Sequence, residues 1–146
     1  MLPARCAFTA VNQTAHPGEA APPTGPSALP CVYYDGACPL CSREIATYRR
    51  ARGGDHLQWV DAQAAAAQDL GPALAREDAL RRLHVRLPDG RLVSGAAAFV
   101  TIWQRLPAFR ALAVLARVPG MLALMEALYR VFLRVRPLWR PRSGPP

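Results

Sequence analysis

Residues 33–41, Tyr33-Tyr34-Asp35-Gly36-Ala37-Cys38-Pro39-Leu40-Cys41, constrain this chain most, because they join a β-forming run to a helix start within a few positions. Val32, Tyr33 and Tyr34 are strand formers in an apolar run, which predicts a short buried strand over 29–34. Asp35-Gly36 breaks that strand. Pro39 suits a first helical turn, where its missing N–H costs nothing, and Cys41, Ile45 and Tyr48 recur at helical spacing up to a stop at Gly53-Gly54. Arg43, Glu44 and Arg50 fall on the water-facing side of that helix. A strand-to-helix corner with a Cys-x-x-Cys pair at its joint is therefore the first thing the chain must build.

The remaining elements follow from periodicity and turn chemistry. Residues 57–61 read as a second strand, and strand, helix, strand at this spacing make a βαβ unit with parallel strands. Residues 63–70 are Ala-rich and read as a helix ending at Gly71-Pro72. A short helix over 76–83 carries Glu77 and Asp78 in its first turn, where the helix dipole favours them. Residues 84–87 and 91–93 flank Pro88-Asp89-Gly90, a hairpin signal that turns the sheet antiparallel. Phe99, Val100, Trp103 and Leu106 mark a helix that stops before Pro107, and two more helices span 108–117 and 119–135. Trp59 and Trp103 lie on apolar periodic faces and read as core. The expected class is α/β: a βαβ unit plus a β-hairpin, with flanking helices and a helical C-terminal extension.

With 146 residues there is room for one core. Residues 1–28 are rich in Pro and Ala and read as a disordered extension, since such a composition buries too little apolar surface to offset the entropy of ordering. The foldable core is expected over 29–106, with helices packed on it over 107–136 and an Arg/Pro-rich tail over 137–146. The net charge is +8, and every basic residue other than histidine is Arg. These arginines are scattered, apart from Arg49-Arg50-Arg52 and a cluster from Arg130 to Arg142, and are not interleaved with aromatic residues along a groove, so no specific nucleic-acid partner is expected. No apolar segment resembling a secretory leader precedes the prolines, and the cysteine pattern suits a reducing compartment, so the expected location is cytoplasmic.

In the last helix Met121, Met125, Leu128 and Phe132 form an apolar stripe, with Glu126, Arg130 and Arg134 repeating opposite it. Glu126 stands four residues before Arg130, the favourable order for a pair worth about 0.3 kcal/mol. The charges interrupt the helix too often for a bilayer span. Two readings stay open for it: packing on the domain or a second subunit, or contact with an anionic membrane surface.

The Cys pair carries the chemistry. A thiolate is the attacking group in thiol–disulfide exchange, and a second thiol nearby can resolve the mixed disulfide. Unpaired N–H groups and the dipole at a helix start favour an anion at Cys38, which makes Cys38 the expected attacking thiol. Cys41 shares a stripe with Ile45 and Tyr48 and is expected to point inward as the resolving thiol. Pro39-Leu40 adds no charge between them and predicts a middling reduction potential. The expected partners are a disulfide-containing protein or small-thiol substrate and an external dithiol reductant, with no cofactor and no metal. A structural zinc site normally needs four ligands, and here Cys31, His56 and His84 are isolated. The alternative is a non-catalytic metal-binding or partner-binding module that uses the same pair structurally. Cys31 reads as a small hydrophobe on a buried strand, and Cys6 as incidental.

The blocks Tyr34-Asp35-Gly36-Ala37-Cys38-Pro39-Leu40-Cys41, Val60-Asp61, Leu83-His84-Val85, Asp89-Gly90 and Gly95-Ala96-Ala97-Ala98-Phe99 resemble the DCC family of thiol–disulfide oxidoreductases, over residues 29–136. The resemblance implies a thioredoxin-like fold and a redox role for Cys38 and Cys41. It also singles out Asp35, for which two roles stand: a proton relay to the thiols, or an Asx-turn at the corner with Gly36 in an unusual dihedral. Thioredoxins carry a cis-proline before the third strand, in a loop that pairs with substrate backbone. Arg81-Arg82-Leu83 stands there instead, so the usual docking mode is not expected.

Overall fold

The structure, a computed structural model, describes residues 29–140. The N-terminal extension with Cys6, and residues 141–146 of the tail, lie outside the described residues. Four strands form one mixed sheet in the order β2-β1-β3-β4, with β1 (Cys31–Tyr34) and β3 (His84–Arg86) central and β2 (Gln58–Asp61) and β4 (Leu92–Ser94) at the edges. β1 runs parallel to β2, with Cys31 opposite Gln58, and antiparallel to β3, with Val32 opposite Val85. The Asp89-Gly90 signal holds: Leu87 N donates to Arg91 O at 2.8 Å, and Gly90 takes the left-handed φ of 87° that the hairpin turn needs.

Alternation along β1 separates two cores, because successive strand residues face opposite sides of a sheet. Val32 packs with Ile45, Tyr48, Val85, Ile102 and Leu106 beneath α1 (Pro39–Arg50) and α4 (Ala96–Trp103). Cys31 and Tyr33 face the other way, onto Val60, Leu70, Leu74 and Ala79 beneath α2 (Ala67–Leu70) and α3 (Arg76–Arg81). Full burial of Val32, Val85, Ile102 and Leu106 contributes about 2 kcal/mol each. Trp59 and Trp103 flank the first core as expected, and the Trp103 indole N–H donates to Tyr48 Oη at 2.9 Å. This mixed α/β architecture agrees with a thioredoxin-like fold.

The helices expected over 76–83 and 119–135 appear over Arg76–Arg81 and Met121–Val135, and two others, over 63–70 and 108–117, come out markedly shorter. The Ala-rich stretch is helical only over α2, because Arg76 draws the carbonyls of Ala62 and Gln63, at 2.9 and 3.1 Å, and that of Ala65 onto its guanidinium. Carbonyls held by a side chain are not free to continue a helical ladder. Beyond a 3-10 turn at Pro107–Phe109, α5 covers only Arg110–Leu115, and α6 spans Met121–Val135 after Gly120 in the left-handed region. Arg86 is buried with no carboxylate partner among the described residues; it donates to Leu70 O at 3.0 Å and Pro72 O at 2.7 Å, tying the α2–α3 loop to the hairpin.

α6 packs on α4, but its apolar stripe divides differently from the sequence reading. Met121, Met125, Tyr129 and Phe132 are half-buried toward the domain, whereas Leu128 is exposed. Glu126 also turns inward: its carboxylate pairs with Arg82, accepts Ala96 N–H at 3.0 Å, and keeps the expected Arg130 contact at 3.2 Å. Gly95, at φ 65°, leaves room for this cluster, since a Cβ there would overlap both Arg82 and Glu126.

His84 is a buried strand residue, as expected, with Nδ1 2.9 Å from Arg82 O. Burial lowers its pKa from 6.5, with the Arg82 carbonyl opposing the shift. The neutral ring is thus favoured in the folded state, so the unfolded chain binds more protons as pH falls below 6.5. Thermal stability should drop as pH falls through that region, and His84→Gln should flatten this part of the Tm-against-pH curve; an unaltered curve in the variant would reject the assignment.

Candidate active site

Cys38 is the N-cap of α1, with Pro39 in the first turn. Its backbone is extended, φ −83° and ψ 114°, which swings the sulfur over the helix start to accept Cys41 N–H at 3.4 Å. Ser42 locks the corner from the next position, its N–H meeting Cys38 O at 2.9 Å and its hydroxyl meeting Gly36 O at 2.8 Å. Cys38 and Cys41 are both free thiols.

Their exposure reverses the expectation for Cys41. Cys38 is 1% exposed, while Cys41 is only half-buried and lines a cleft with Tyr34, Arg82, Phe99, Tyr129 and Phe132. The shared stripe with Ile45 had suggested an inward side chain. One turn from the helix end, however, that face meets the cleft beside α6 instead of the closed core. Burial nevertheless pushes the Cys41 thiol up to about 12, with the bond to Cys38 and its charge adding to the rise and Arg136 opposing it.

Asp35 is buried and closes an Asx-turn, its Oδ1 accepting Ala37 N–H at 3.1 Å. The same oxygen takes the Gln63 amide at 3.3 Å. Oδ2 faces Arg140 Nε at 3.0 Å and Arg136 at 3.7 Å, as charge contacts off the axis of a hydrogen bond. Arg136 is itself buried and also donates to Leu80 O at 2.6 Å. The C-terminal turn, Arg136–Leu138, is thereby pinned to the corner that carries the thiols.

Gly36 does not have the unusual dihedral expected of it; its φ lies outside the left-handed region. It is glycine for space. Asp61 Oδ1 accepts Gly36 N–H at 3.0 Å and Gln63 N–H at 2.9 Å, and a Cβ on Gly36 would overlap that carboxylate.

The loop before β3 contains no cis peptide; none occurs among the described residues. There Leu83 N–H is taken by the Tyr129 hydroxyl at 2.9 Å, a backbone donor satisfied from α6. Among the described residues no three of His, Cys, Asp or Glu converge to hold a metal ion, and no helix is long and apolar enough to cross a membrane. The structure therefore unites Asp35, Cys38 and Cys41, as the motif suggested, and leaves His56 and His84 away from them. Asp61, Arg136 and Arg140 were not read as site residues. Asp61 stood in a recognisable block, whereas Arg136 closed the last helical segment and Arg140 fell in the Arg/Pro-rich tail.

A sheet of this topology with two free thiols at the N-terminus of its first helix defines the class: a thioredoxin-like α/β domain with a Cys-x-x-Cys corner. More particularly, the family model described as DCC1-like thiol-disulfide oxidoreductase matches residues 32–142, and the chain belongs to that family. No curated protein and no solved structure gave a significant match.

Proposed function

We propose that the protein is a thiol–disulfide oxidoreductase that reduces disulfides, with Cys38 attacking and Cys41 resolving. The observation that carries this reading is the N-cap geometry: Cys38 Sγ sits over the start of α1 and accepts Cys41 N–H, while burial holds the neighbouring Cys41 as a thiol. The Cys38 thiolate forms a bond to one sulfur of the substrate disulfide, and the other sulfur leaves as a thiolate. Cys41 then passes its proton to a departing substrate thiolate and attacks Cys38 Sγ, expelling the second substrate sulfur, which leaves as a thiolate. The substrate gains two electrons, the pair becomes a Cys38–Cys41 disulfide, and an external dithiol in a reducing compartment such as the cytoplasm restores it. Because Cys38 is buried, its sulfur must become accessible before the first step. Asp35 serves as a positioning residue, holding the turn through Ala37 N–H and anchoring Arg136 and Arg140.

Trapping tests this directly. Cys41→Ser, mixed with an aromatic disulfide, should accumulate a mixed disulfide on Cys38 that is detectable by mass spectrometry and released by dithiol. Failure to form the adduct would overturn the reading. Stoichiometric zinc retained by the reduced wild-type protein through a chelator wash would favour the structural metal-binding alternative instead.

A further inference from the structure

We infer that the outward face of α6 and the turn after it is a docking surface for an anionic membrane. Leu124, Leu128, Val131 and Val135 lie at i, i+4, i+7 and i+11, so they form one stripe along the helix, and Leu138 and Trp139 extend it. All six are exposed: Leu128 at 61%, Val131 at 55% and Leu138 at 80% are far outside the range of packed side chains. The stripe is about 20 Å long. The opposite face of α6 is already committed to the domain through Tyr129, Glu126 and Phe132, so the helix is apolar on two sides and only one of them is partnered among the described residues.

Charge selects the occupant. Glu126 is the only acidic residue between positions 105 and 140, and its carboxylate is occupied by Arg82, Ala96 N–H and Arg130. Arg130 and Arg134 are exposed on the same helix, and Arg117 is exposed just before it. A second copy of this face would bring arginines and no anion to meet them. An anionic bilayer supplies phosphates to the arginines and hydrocarbon to the stripe, with Trp139 suited to the boundary between the two. Since Leu138 and Trp139 lie two and three residues beyond the Arg136 that contacts Asp35, docking would hold the thiol corner close to the bilayer surface.

Vesicle co-sedimentation of the full chain tests this. Binding to vesicles of phosphatidylcholine mixed with phosphatidylglycerol should be about ten-fold or more tighter than to phosphatidylcholine alone, and should weaken with salt. Leu128→Glu combined with Val131→Glu should weaken it about a hundred-fold, and Arg134→Glu by several-fold, while far-UV circular dichroism stays unchanged because these side chains are exposed. Three results would overturn the inference: no binding to the anionic vesicles at low salt, binding unaltered by the Glu substitutions, or a dimer in sedimentation velocity that replaces vesicle binding and is broken by those same substitutions.

Discussion

Cys38→Ser should abolish disulfide reduction while leaving thermal stability intact. Serine is one of the best N-cap residues, and its hydroxyl can accept the Cys41 N–H that the sulfur now accepts at 3.4 Å. The corner keeps its hydrogen bond, and Ser42 keeps its bonds to Cys38 O and Gly36 O. What disappears is the nucleophile. A serine hydroxyl does not exchange with disulfides, so turnover in a dithiol-coupled assay should fall by about a thousand-fold or more. Cys41→Ser should behave differently, losing turnover but retaining the first half-reaction, since only the resolving thiol is gone. Equal loss of both half-reactions in the two variants would argue against separate attacking and resolving roles. Activity surviving Cys38→Ser would exclude the mechanism outright.

Gly36→Ala should be strongly destabilising although its backbone conformation is open to alanine. The added methyl would occupy the space of the Asp61 carboxylate, which is the acceptor for Gly36 N–H and Gln63 N–H. Moving the carboxylate away strands both donors in a partly buried corner. The expected cost is about 2 kcal/mol, or roughly 8 °C in Tm for a domain of this size. A double-mutant cycle with Asp61→Ala separates the cause: once the carboxylate is gone, the methyl has room, and the second substitution should cost far less than the first. Additive effects would show that the two residues are uncoupled and that glycine is required there for some other reason. Because the turn sets the start of α1, disulfide reduction should also fall in Gly36→Ala under conditions where the variant is still folded.

Much of the fold was legible because its signals are local. Strand formers before Asp35-Gly36, proline at the helix start and Asp89-Gly90 between two short strands each act within a few residues, and each element appears where it was expected. The Cys pair was legible for the same reason, since a motif of this spacing at a strand-to-helix corner places the first sulfur on the helix N-terminus. The errors share an opposite cause. The helix expected over 63–70 was shortened by Arg76, a residue from the following helix that claims its carbonyls. Gly36 was assigned to a dihedral when the decisive object was a carboxylate from β2. Cys41 was placed inward on periodicity, which gives a face of the helix but not what stands opposite it.

The C-terminal segment shows this division most clearly. Its helices and their amphipathic character could be read from spacing, and so could the Glu126–Arg130 pair. That Glu126 also reaches Arg82 and Ala96, that Tyr129 satisfies Leu83 N–H, and that Arg136 and Arg140 close on Asp35 could not. The sequence by itself determined the strand-to-helix corner, the thiol pair and the order of elements, because propensity, capping and turn chemistry operate over neighbouring residues. Only the tertiary structure decided which thiol is buried, why Gly36 is glycine, and that the far end of the chain meets the active corner, because those outcomes depend on contacts between segments that no local pattern encodes.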